Sequence, residues 1–172
     1  DSVIARKTFA YWIDHTDNAQ VIDAFTFGTY GGIYLGAASY GQMTNFNFDC
    51  VTVGIRKLGD STFNRNWQIA QGSIIANTGE RIEDIHPLII EGQGHTAITN
   101  VEAFSGPNNA LSTLNQSQDF ILVRGEQKLT ISLFGCRMRN YRAEAPITIE
   151  NAAAVVQAFG CIDKEQSPFQ LP

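Results

Sequence analysis

Hydrophobic and polar residues alternate over short runs along most of this chain. The runs are rich in β-branched and aromatic residues and end in Gly, Asn or another residue that suits a turn. Alternation with a period of two is typical of strands whose side chains face a core and the solvent in turn. No segment shows the 3.6-residue spacing of an amphipathic helix. The pattern therefore predicts an all-β protein.

One short phrase recurs along the chain. Five segments align on a phenylalanine: VIDAFTF (21–27), TNFNFDC (44–50), NVEAFSG (100–106), TISLFGC (130–136) and VVQAFGC (155–161). Their spacing indicates about six units with an average period of about 27 residues, which is the sequence signature of a solenoid. The alignment puts Cys50, Cys136 and Cys161 in one column. We expect the phenylalanines and cysteines of this column to face the core.

A second phrase precedes each copy of the first. Its copies are AYWIDH (10–15), GGIYLG (31–36), NWQIAQG (66–72), HPLIIEG (86–92), DFILVRG (119–125) and APITIEN (145–151). Each unit is thus a strand–turn–strand block of nearly constant length followed by a variable connection. The column that ends the strand, one position before the end of the phrase, holds Asp14, Glu91, Arg124 and Glu150. Alternating charges on successive coils indicate pairing across neighbouring strands.

This arrangement resembles the right-handed parallel β-helix of the pectate-lyase-like superfamily. The resemblance covers about residues 10–163 and is one of pattern, since no motif of a particular family is present. It implies a right-handed parallel β-solenoid of about six coils. A β-sandwich also has many short strands, but it gives no reason for three cysteines to share one repeat column.

We expect a single domain over residues 1–172, either complete or the C-terminal part of a longer chain. Residues 164–172 contain two prolines, which suit a tail or cap on the last coil. The first repeat begins within about ten residues of Asp1. The ends of a solenoid need protection from solvent, and these few residues leave little room for a cap. We therefore expect upstream chain or a second subunit to cover the first coil.

The composition of the chain excludes several classes of binding partner. The chain has 172 residues, is 44% hydrophobic and carries a net charge of −5, which is ordinary for a folded domain. It has no Lys/Arg cluster, so we expect no nucleic-acid partner. It has no apolar run of about 20 residues, so we expect no membrane span. The three cysteines have no metal-ligand spacing, so the sequence predicts no metal and no cofactor.

The richest polar stretch, residues 79–106, supplies candidate catalytic groups. Glu83, Asp84 and Glu102, with His86 assisting, are the residue types used for acid–base attack on a glycosidic bond or for proton abstraction by a lyase. Glu83, Asp84 and His86 fall in a variable connection, where function concentrates. Glu83, Asp84 and His86 also have a structural interpretation as residues of a solvated loop, and Glu102 as a member of an outward-facing polar column.

Candidate binding residues come from the aromatic and basic loops. Tyr34, Tyr40 and Trp67 offer faces on which sugar rings stack, and Arg139 with Tyr141 suits an acidic saccharide. Together with the resemblance, these residues imply a carbohydrate-active protein, namely a polysaccharide glycosidase, a lyase or a phage-tailspike-like depolymerase. Such a protein acts outside the cell or on a virion surface. The alternative is a non-catalytic solenoid, such as a spike shaft, an adhesin segment or a saccharide-binding module.

Overall fold

A computed structural model describes residues 7–59, 66–79, 81–104, 117–169 and 171 of the chain. Two parallel sheets account for nearly all of the regular structure in these residues. The first sheet consists, in spatial order, of β1 (Phe9–Ile13), β4 (Gly31–Leu35), β6 (Val53–Lys57), β8 (His86–Glu91), β10 (Ile121–Arg124) and β13 (Ile147–Ile149). A single 3-10 turn, Ile82–Asp84, precedes β8.

The second sheet contains longer strands than the first, and these longer strands bend partway along their length. Its spatial order is β14 (Ala154–Phe159), β11 (Leu129–Phe134), β9 (Gly94–Phe104), β7 (Trp67–Ala76), β5 (Gly41–Val51) and β2 (Ala19–Ile22). Two short strands extend it beyond the bend: β3 (Phe25–Phe27) pairs with β5, and β12 (Arg137–Arg139) pairs with β9. We call the segments beyond the bend the third face.

The chain winds through the first sheet, the second sheet and the third face in turn, and every strand pair in the two sheets is parallel. The result is a β-solenoid of about five turns with a period of about 26 residues. The predicted all-β solenoid is therefore confirmed.

A ladder of left-handed residues forms the bend between the second sheet and the third face. The strand registers align six positions, all with φ between 51° and 62°: Asp23, Asn45, Gln71, Asn100, Gly135 and Gly160. Asn, Asp and Gly are the residues that adopt this conformation most readily. The bend occupies a single residue, which shifts the alternation of inward and outward side chains by one position. Ile98 before the bend and Val101 after it therefore both face the core.

The core lies inside the coils as rows of stacked aliphatic side chains. In the first sheet the inward row is Ile33, Ile55, Leu88 and Ile121, and all four are fully buried. In the second sheet it is Met43, Ile69, Ile98 and Leu133, which are at most 1% exposed. These rows are the inward half of the period-two pattern read from the sequence.

The predicted phenylalanine column is wrong. Phe134 and Phe159 pair with each other just before the bend, whereas Phe25, Phe48 and Phe104 lie beyond it, in separate rows of the third face. Phe48 is buried, but the side chains of Phe134 and Phe159 are 40% and 54% exposed. The alternation of inward and outward residues looks the same on both sides of the bend, so the alignment joined positions that the fold separates.

Two further sequence assignments need correction. The segment 66–72 is not equivalent to the other copies of the second phrase, which form strands of the first sheet. It belongs to β7 of the second sheet, and the first-sheet strand of that coil is β6. Cys136 and Cys161 are buried in one row, as predicted. Cys50 is only half-buried and lies at an irregularity in β5, outside that row.

Residues 161–169 fold back against the last coil. Ile162 forms an antiparallel bridge with Pro168, and the Phe169 amide donates to the Cys161 carbonyl at 2.9 Å. The Phe169 side chain packs against the main core. The ammonium of Lys164 donates to the carbonyl of Ala143 at 2.9 Å, which ties this segment to the preceding connection.

The core contains one lysine. Lys57 is fully buried in an inward row between Leu35 and Ile90, and its ammonium lies 3.4 Å from the Glu91 carbonyl. Burial disfavours the charged form and lowers the pKa of Lys57 to about 8. At neutral pH the fold therefore holds a desolvated ammonium inside the solenoid.

Replacing this ammonium should stabilise the protein. In the unfolded chain this lysine has a pKa of about 10.4. Between about pH 8 and pH 10.4 it is therefore protonated to a greater extent in the unfolded chain than in the folded one. The free energy of unfolding of the wild type should rise with pH across that window. Lys57→Met should remove this slope and add up to about 3 kcal/mol of unfolding free energy at pH 7. Urea unfolding at several pH values measures both effects. Lys128→Met replaces an exposed lysine and is the control. It should change neither the pH dependence nor the free energy of unfolding at pH 7. A loss of stability in Lys57→Met would contradict the burial cost.

Candidate functional site

A continuous row of side chains runs along the outer face of the first sheet. The registers place one residue from each strand in this row: Trp12, Tyr34, Arg56, Ile89, Leu122 and Thr148. The row changes in character from aromatic at the first coils, through one guanidinium, to aliphatic in the middle of the sheet. We call it the outer row.

Aromatic rings cluster at the first end of the outer row. Trp12 and Tyr34 stack with their ring centroids 3.8 Å apart and their planes at 19°. Phe9 packs edge-on against Tyr34 and Tyr30, with centroids 5.5 and 5.7 Å away. Trp12 is 64% exposed. The cluster therefore forms a rigid platform with one large aromatic face open to solvent.

A cleft of about 570 Å³ adjoins this platform. Tyr30 belongs to both the platform and the cleft, and Ile89 and Leu122 of the outer row form an apolar floor. The remaining described lining residues are polar or charged: Lys7, Arg56, Glu83, Asp84, His86, Gln118, Asp119, Arg124, Thr148 and Glu150. The volume and the mixture of an apolar floor with polar walls are those of a small-ligand site.

Two connections of variable length wall the cleft. Residues 77–85 link β7 to β8 and contribute Glu83 and Asp84, and residues 117–119 before β10 contribute Gln118 and Asp119. Both connections lead from the third face back to the first sheet. The cleft is therefore walled by two connections that lie on the same side of the solenoid.

The charge ladder predicted at the ends of the first-sheet strands is present beside the cleft. Glu91 and Arg124 are partners in the strand register and form an ion pair. Arg56 approaches the same carboxylate from the preceding coil, with its Nε 3.3 Å from Oε2. The Glu91 side chain is only 16% exposed, so both guanidinium groups are held by a carboxylate that is largely removed from water.

His86 and Asp119 form a buried pair at the back of the cleft. His86 Nδ1 lies 2.7 Å from Asp119 Oδ1, and the two side chains are 7% and 0% exposed. His86 Nε2 lies 2.9 Å from the carbonyl oxygen of Glu83. The pair therefore ties the 3-10 turn in one connection to the start of β10, across 33 residues of sequence.

The surroundings of His86 restrict its chemistry. Both ring nitrogens face oxygen acceptors, so satisfying both contacts requires two protons in the pair. These protons lie either on both nitrogens or on Nε2 and the Asp119 carboxyl. In either arrangement no nitrogen lone pair points toward the cleft. His86 therefore positions the wall of the cleft and is not available there as a general base.

Glu83 and Asp84 lie on the rim of the cleft, where the sequence predicted catalytic groups. Arg81 donates two hydrogen bonds to the Asp84 carboxylate, at 3.1 and 3.0 Å, and lies 3.6 Å from Glu83. The hydrogen bonds from Arg81 lower the pKa of Asp84, so this group is ionised and unsuited to donate a proton. Glu83 is 63% exposed.

Glu102 and Arg139 do not join the cleft. They lie on neighbouring strands of the third face and form an ion pair, and the Arg139 guanidinium sits 5.1 Å from the ring centroid of Phe104. The structure therefore separates Glu102 from Glu83, Asp84 and His86. The four candidate catalytic residues do not form one constellation.

The remaining predicted binding residues also lie away from the cleft. Trp67 is 1% exposed and its indole N–H donates to the Ser39 carbonyl at 3.1 Å, so its ring is unavailable to a ligand. Tyr141 is buried beneath the Lys164 ammonium, and burial raises its pKa to about 12. Tyr40 lies in the turn between β4 and β5, at the corner that leads from the first sheet to the second. Of the five residues, Tyr34 alone belongs to the platform.

Sequence reasoning missed several residues of this site, among them Trp12, Tyr30 and Asp119. Trp12 is the partner of Tyr34 in the strand register. The two phrases AYWIDH and GGIYLG place Trp12 opposite Ile33 instead, so the sequence alignment did not reveal the platform. Tyr30 precedes the strand phrase and shows no distinguishing pattern. Asp119 was read as the first residue of a strand phrase, and only the fold brings it to His86.

Comparisons with protein-family models, with curated proteins and with solved structures found no match to this chain. Within the described residues, no group of three or more His, Cys, Asp or Glu side chains is arranged to hold a metal ion. No helix in the same residues has the length and apolarity needed to cross a membrane. The cleft and the platform are therefore interpreted from their own chemistry.

Removing one partner of the buried pair should cost stability. Asp119→Ala leaves His86 Nδ1 without its hydrogen-bond partner inside the wall, and breaking a buried pair in this way typically costs about 3 kcal/mol or more of unfolding free energy. Asp84→Ala breaks an exposed pair with Arg81 and should cost no more than about 1 kcal/mol. Urea unfolding measures both variants, and hydrogen exchange of residues 82–86 should accelerate in Asp119→Ala. Equal losses in the two variants would contradict this role of Asp119.

Proposed function

We propose that this chain binds saccharide along the outer face of its first sheet. The proposal rests on the outer row, which joins an exposed aromatic platform to a polar cleft without interruption. A pyranose ring has an apolar face and a polar rim. The Trp12 ring offers a surface for the apolar face, and the cleft offers hydrogen-bond donors and acceptors for the rim.

An uncharged saccharide suits this cleft better than a polyanion. Its described lining contains three basic residues, Lys7, Arg56 and Arg124, and three acidic residues outside the His86 pair, Glu83, Asp84 and Glu150. Arg56 and Arg124 are also engaged with Glu91. Such a balance gives no net field that would attract a polyanion. It does provide both donors and acceptors for hydroxyl groups.

Binding without turnover is the form of the proposal that the site supports best. A glycosidase needs a carboxyl group that donates a proton and a second carboxylate facing it. Asp84 is ionised and held by Arg81, His86 has both nitrogens engaged, and Glu102 lies on another face. A polysaccharide hydrolase or lyase is the second candidate, because Glu83 on the cleft rim is exposed.

The relationship to right-handed parallel β-helices of the pectate-lyase-like superfamily belongs to the same proposal. Many such solenoids handle polysaccharide outside the cell or on a virion surface, and we propose the same setting for this chain. Fold analogy does not by itself assign an activity. The proposal of a binding site therefore rests on the outer row and the cleft. The resemblance to the superfamily is used only to suggest that the ligand is a saccharide.

Saccharide binding should depend on the aromatic platform. Trp12→Ala and Tyr34→Ala should each weaken binding of a neutral oligosaccharide roughly tenfold, because each removes a large stacking surface. Saturation-transfer NMR with a panel of neutral glucan, mannan and galactan oligosaccharides would find a ligand, and calorimetry would then measure its dissociation constant. Polygalacturonate should bind more weakly than the neutral ligand.

Phe27→Ala is the matched control for Trp12→Ala. Phe27 is also 64% exposed but lies on the third face, so its removal should leave the affinity unchanged. Equal effects of the two substitutions, or no binding to any member of the panel, would contradict the proposal. Product formation from a polysaccharide that is lost in Glu83→Gln would favour the enzymatic candidate instead.

We further propose that upstream chain or a second copy of this protein covers the inward-facing side chains and the second-sheet edge of the first coil, and leaves the outward ring of Trp12 open to ligand. Tyr11, Ile13 and Val21 face inward there but remain partly exposed, because the described residues place no coil beyond them. Ile22 and Phe25 of the same coil are 61% and 58% exposed. Unpaired parallel edges beside exposed apolar side chains are unfavourable in water.

This covering should be visible in solution. Light scattering coupled to size exclusion should show self-association of the 172-residue chain, and Phe25→Glu should reduce it by placing a charge on the first coil. If the chain is a monomer, the amides of β1 and β2 should exchange faster than those of β5. A monomer whose first coil exchanges as slowly as β5 would disprove the need for a cover.

A further inference from the structure

Two cysteines occupy equivalent positions on the last two coils. Cys136 and Cys161 each follow the left-handed glycine of the bend, Gly135 or Gly160. Backbone hydrogen bonds hold the strands in register on both sides of the pair: Gly135 N donates to Phe159 O at 2.9 Å, and Ile162 N donates to Cys136 O at 3.0 Å. The two residues therefore face each other across one strand spacing.

The spacing of the ladder suits a covalent link. Neighbouring strands lie about 4.8 Å apart, and disulfides form between Cα atoms separated by about 4.4 to 6.8 Å. Both side chains point into the core and are 0% and 3% exposed. The Cys136 thiol lies 3.5 Å from the Ile98 carbonyl oxygen, and the Cys161 thiol lies 3.6 Å from the Phe159 carbonyl oxygen. Cys50 is distinct, since it is half-buried at an irregularity of β5.

The environment also favours thiolate formation at one member of the pair. The interaction between the two neighbouring thiols, together with burial, raises the pKa of Cys136, and the same interaction lowers the pKa of Cys161. Cys161 also borders the C-terminal segment, through the hydrogen bond from the Phe169 amide to its carbonyl. We therefore assign Cys161 as the attacking thiol and Cys136 as the resolving thiol. The segment 161–169 begins at Cys161 and packs over the last coil. Because both thiols are buried, an oxidant can reach them only when this segment moves away from the coil.

We propose that Cys136 and Cys161 form a reversible disulfide that locks the last coil onto the one before it. The oxidant is a small disulfide such as oxidised glutathione. The Cys161 thiolate attacks one sulfur of the oxidant, which forms a mixed disulfide and releases one glutathione thiolate. Cys136 then attacks the Cys161 sulfur and releases the second. The two protein thiols lose two electrons and two protons, and the oxidant becomes two glutathione thiols.

The bond would close a loop over residues 136–161, which contains β12, β13 and β14. Closing a loop of this length removes conformational freedom from the unfolded chain and stabilises the folded one. The lock acts at the end of the solenoid opposite the first coil. It does not depend on the identity of any ligand in the cleft.

The test is oxidation of the folded full chain with oxidised glutathione, followed by non-reducing peptide mapping by mass spectrometry. The expected product is one linked peptide pair joining Cys136 to Cys161, with the mass of two hydrogens lost. The thermal unfolding midpoint should rise by roughly 10 °C. A reducing agent should reverse both changes.

Cys50→Ala should form the same link and show the same rise, whereas Cys161→Ala should show neither. The proposal is overturned if the folded protein keeps Cys136 and Cys161 as free thiols while Cys50 is oxidised. It is also overturned if the link joins Cys50, or if the link forms without raising the midpoint. Mapping of the wild-type chain gives a decisive result even where a cysteine variant does not fold.

Discussion

The left-handed bend is the constraint on which the rest of this structure depends. On each coil one residue with positive φ turns the chain from the second sheet into the third face. Without that turn, strands such as β5 and β9 would run on straight and the coil could not close around a core. Because the bend consumes one residue, it also reverses which side chains face inward, and Ile98 and Val101 both reach the core. The ladder thus sets the shape of the coil and the direction of every side chain beyond it.

The site follows from the regularity that the bend enforces. Coils in register stack outward residues into straight rows, so aromatic side chains of the first two coils continue into Arg56 and then into the apolar floor of the cleft. The walls come from connections whose length is free to vary. The buried pair of His86 with Asp119 holds these two connections together, which gives the cleft a fixed wall even though its rim is charged and exposed.

The sequence located part of this site. Glu83, Asp84, His86 and Tyr34 all belong to the cleft or its platform, because charged residues in a variable connection and an outward tyrosine in a strand are visible as local patterns. Glu102, Arg139, Trp67 and Tyr141 look equally polar or aromatic in the sequence. Long-range contacts keep these residues out of the site. Glu102 and Arg139 form an ion pair on the third face, Trp67 is buried in the core, and Tyr141 packs under the C-terminal segment.

The sequence by itself determined the all-β class, the repeated coil, the ion pair of Glu91 with Arg124 and the buried row of Cys136 and Cys161. Each depends on alternation or spacing within one unit, and local pattern is enough to specify these. The tertiary structure alone decided the register across the bend. An inward valine or alanine beside a phenylalanine has the same pattern before and after the turn, and only stacking against the next coil distinguishes the two positions. For the same reason the exposure of Phe134 and the meeting of His86 with Asp119 could not be predicted from the chain.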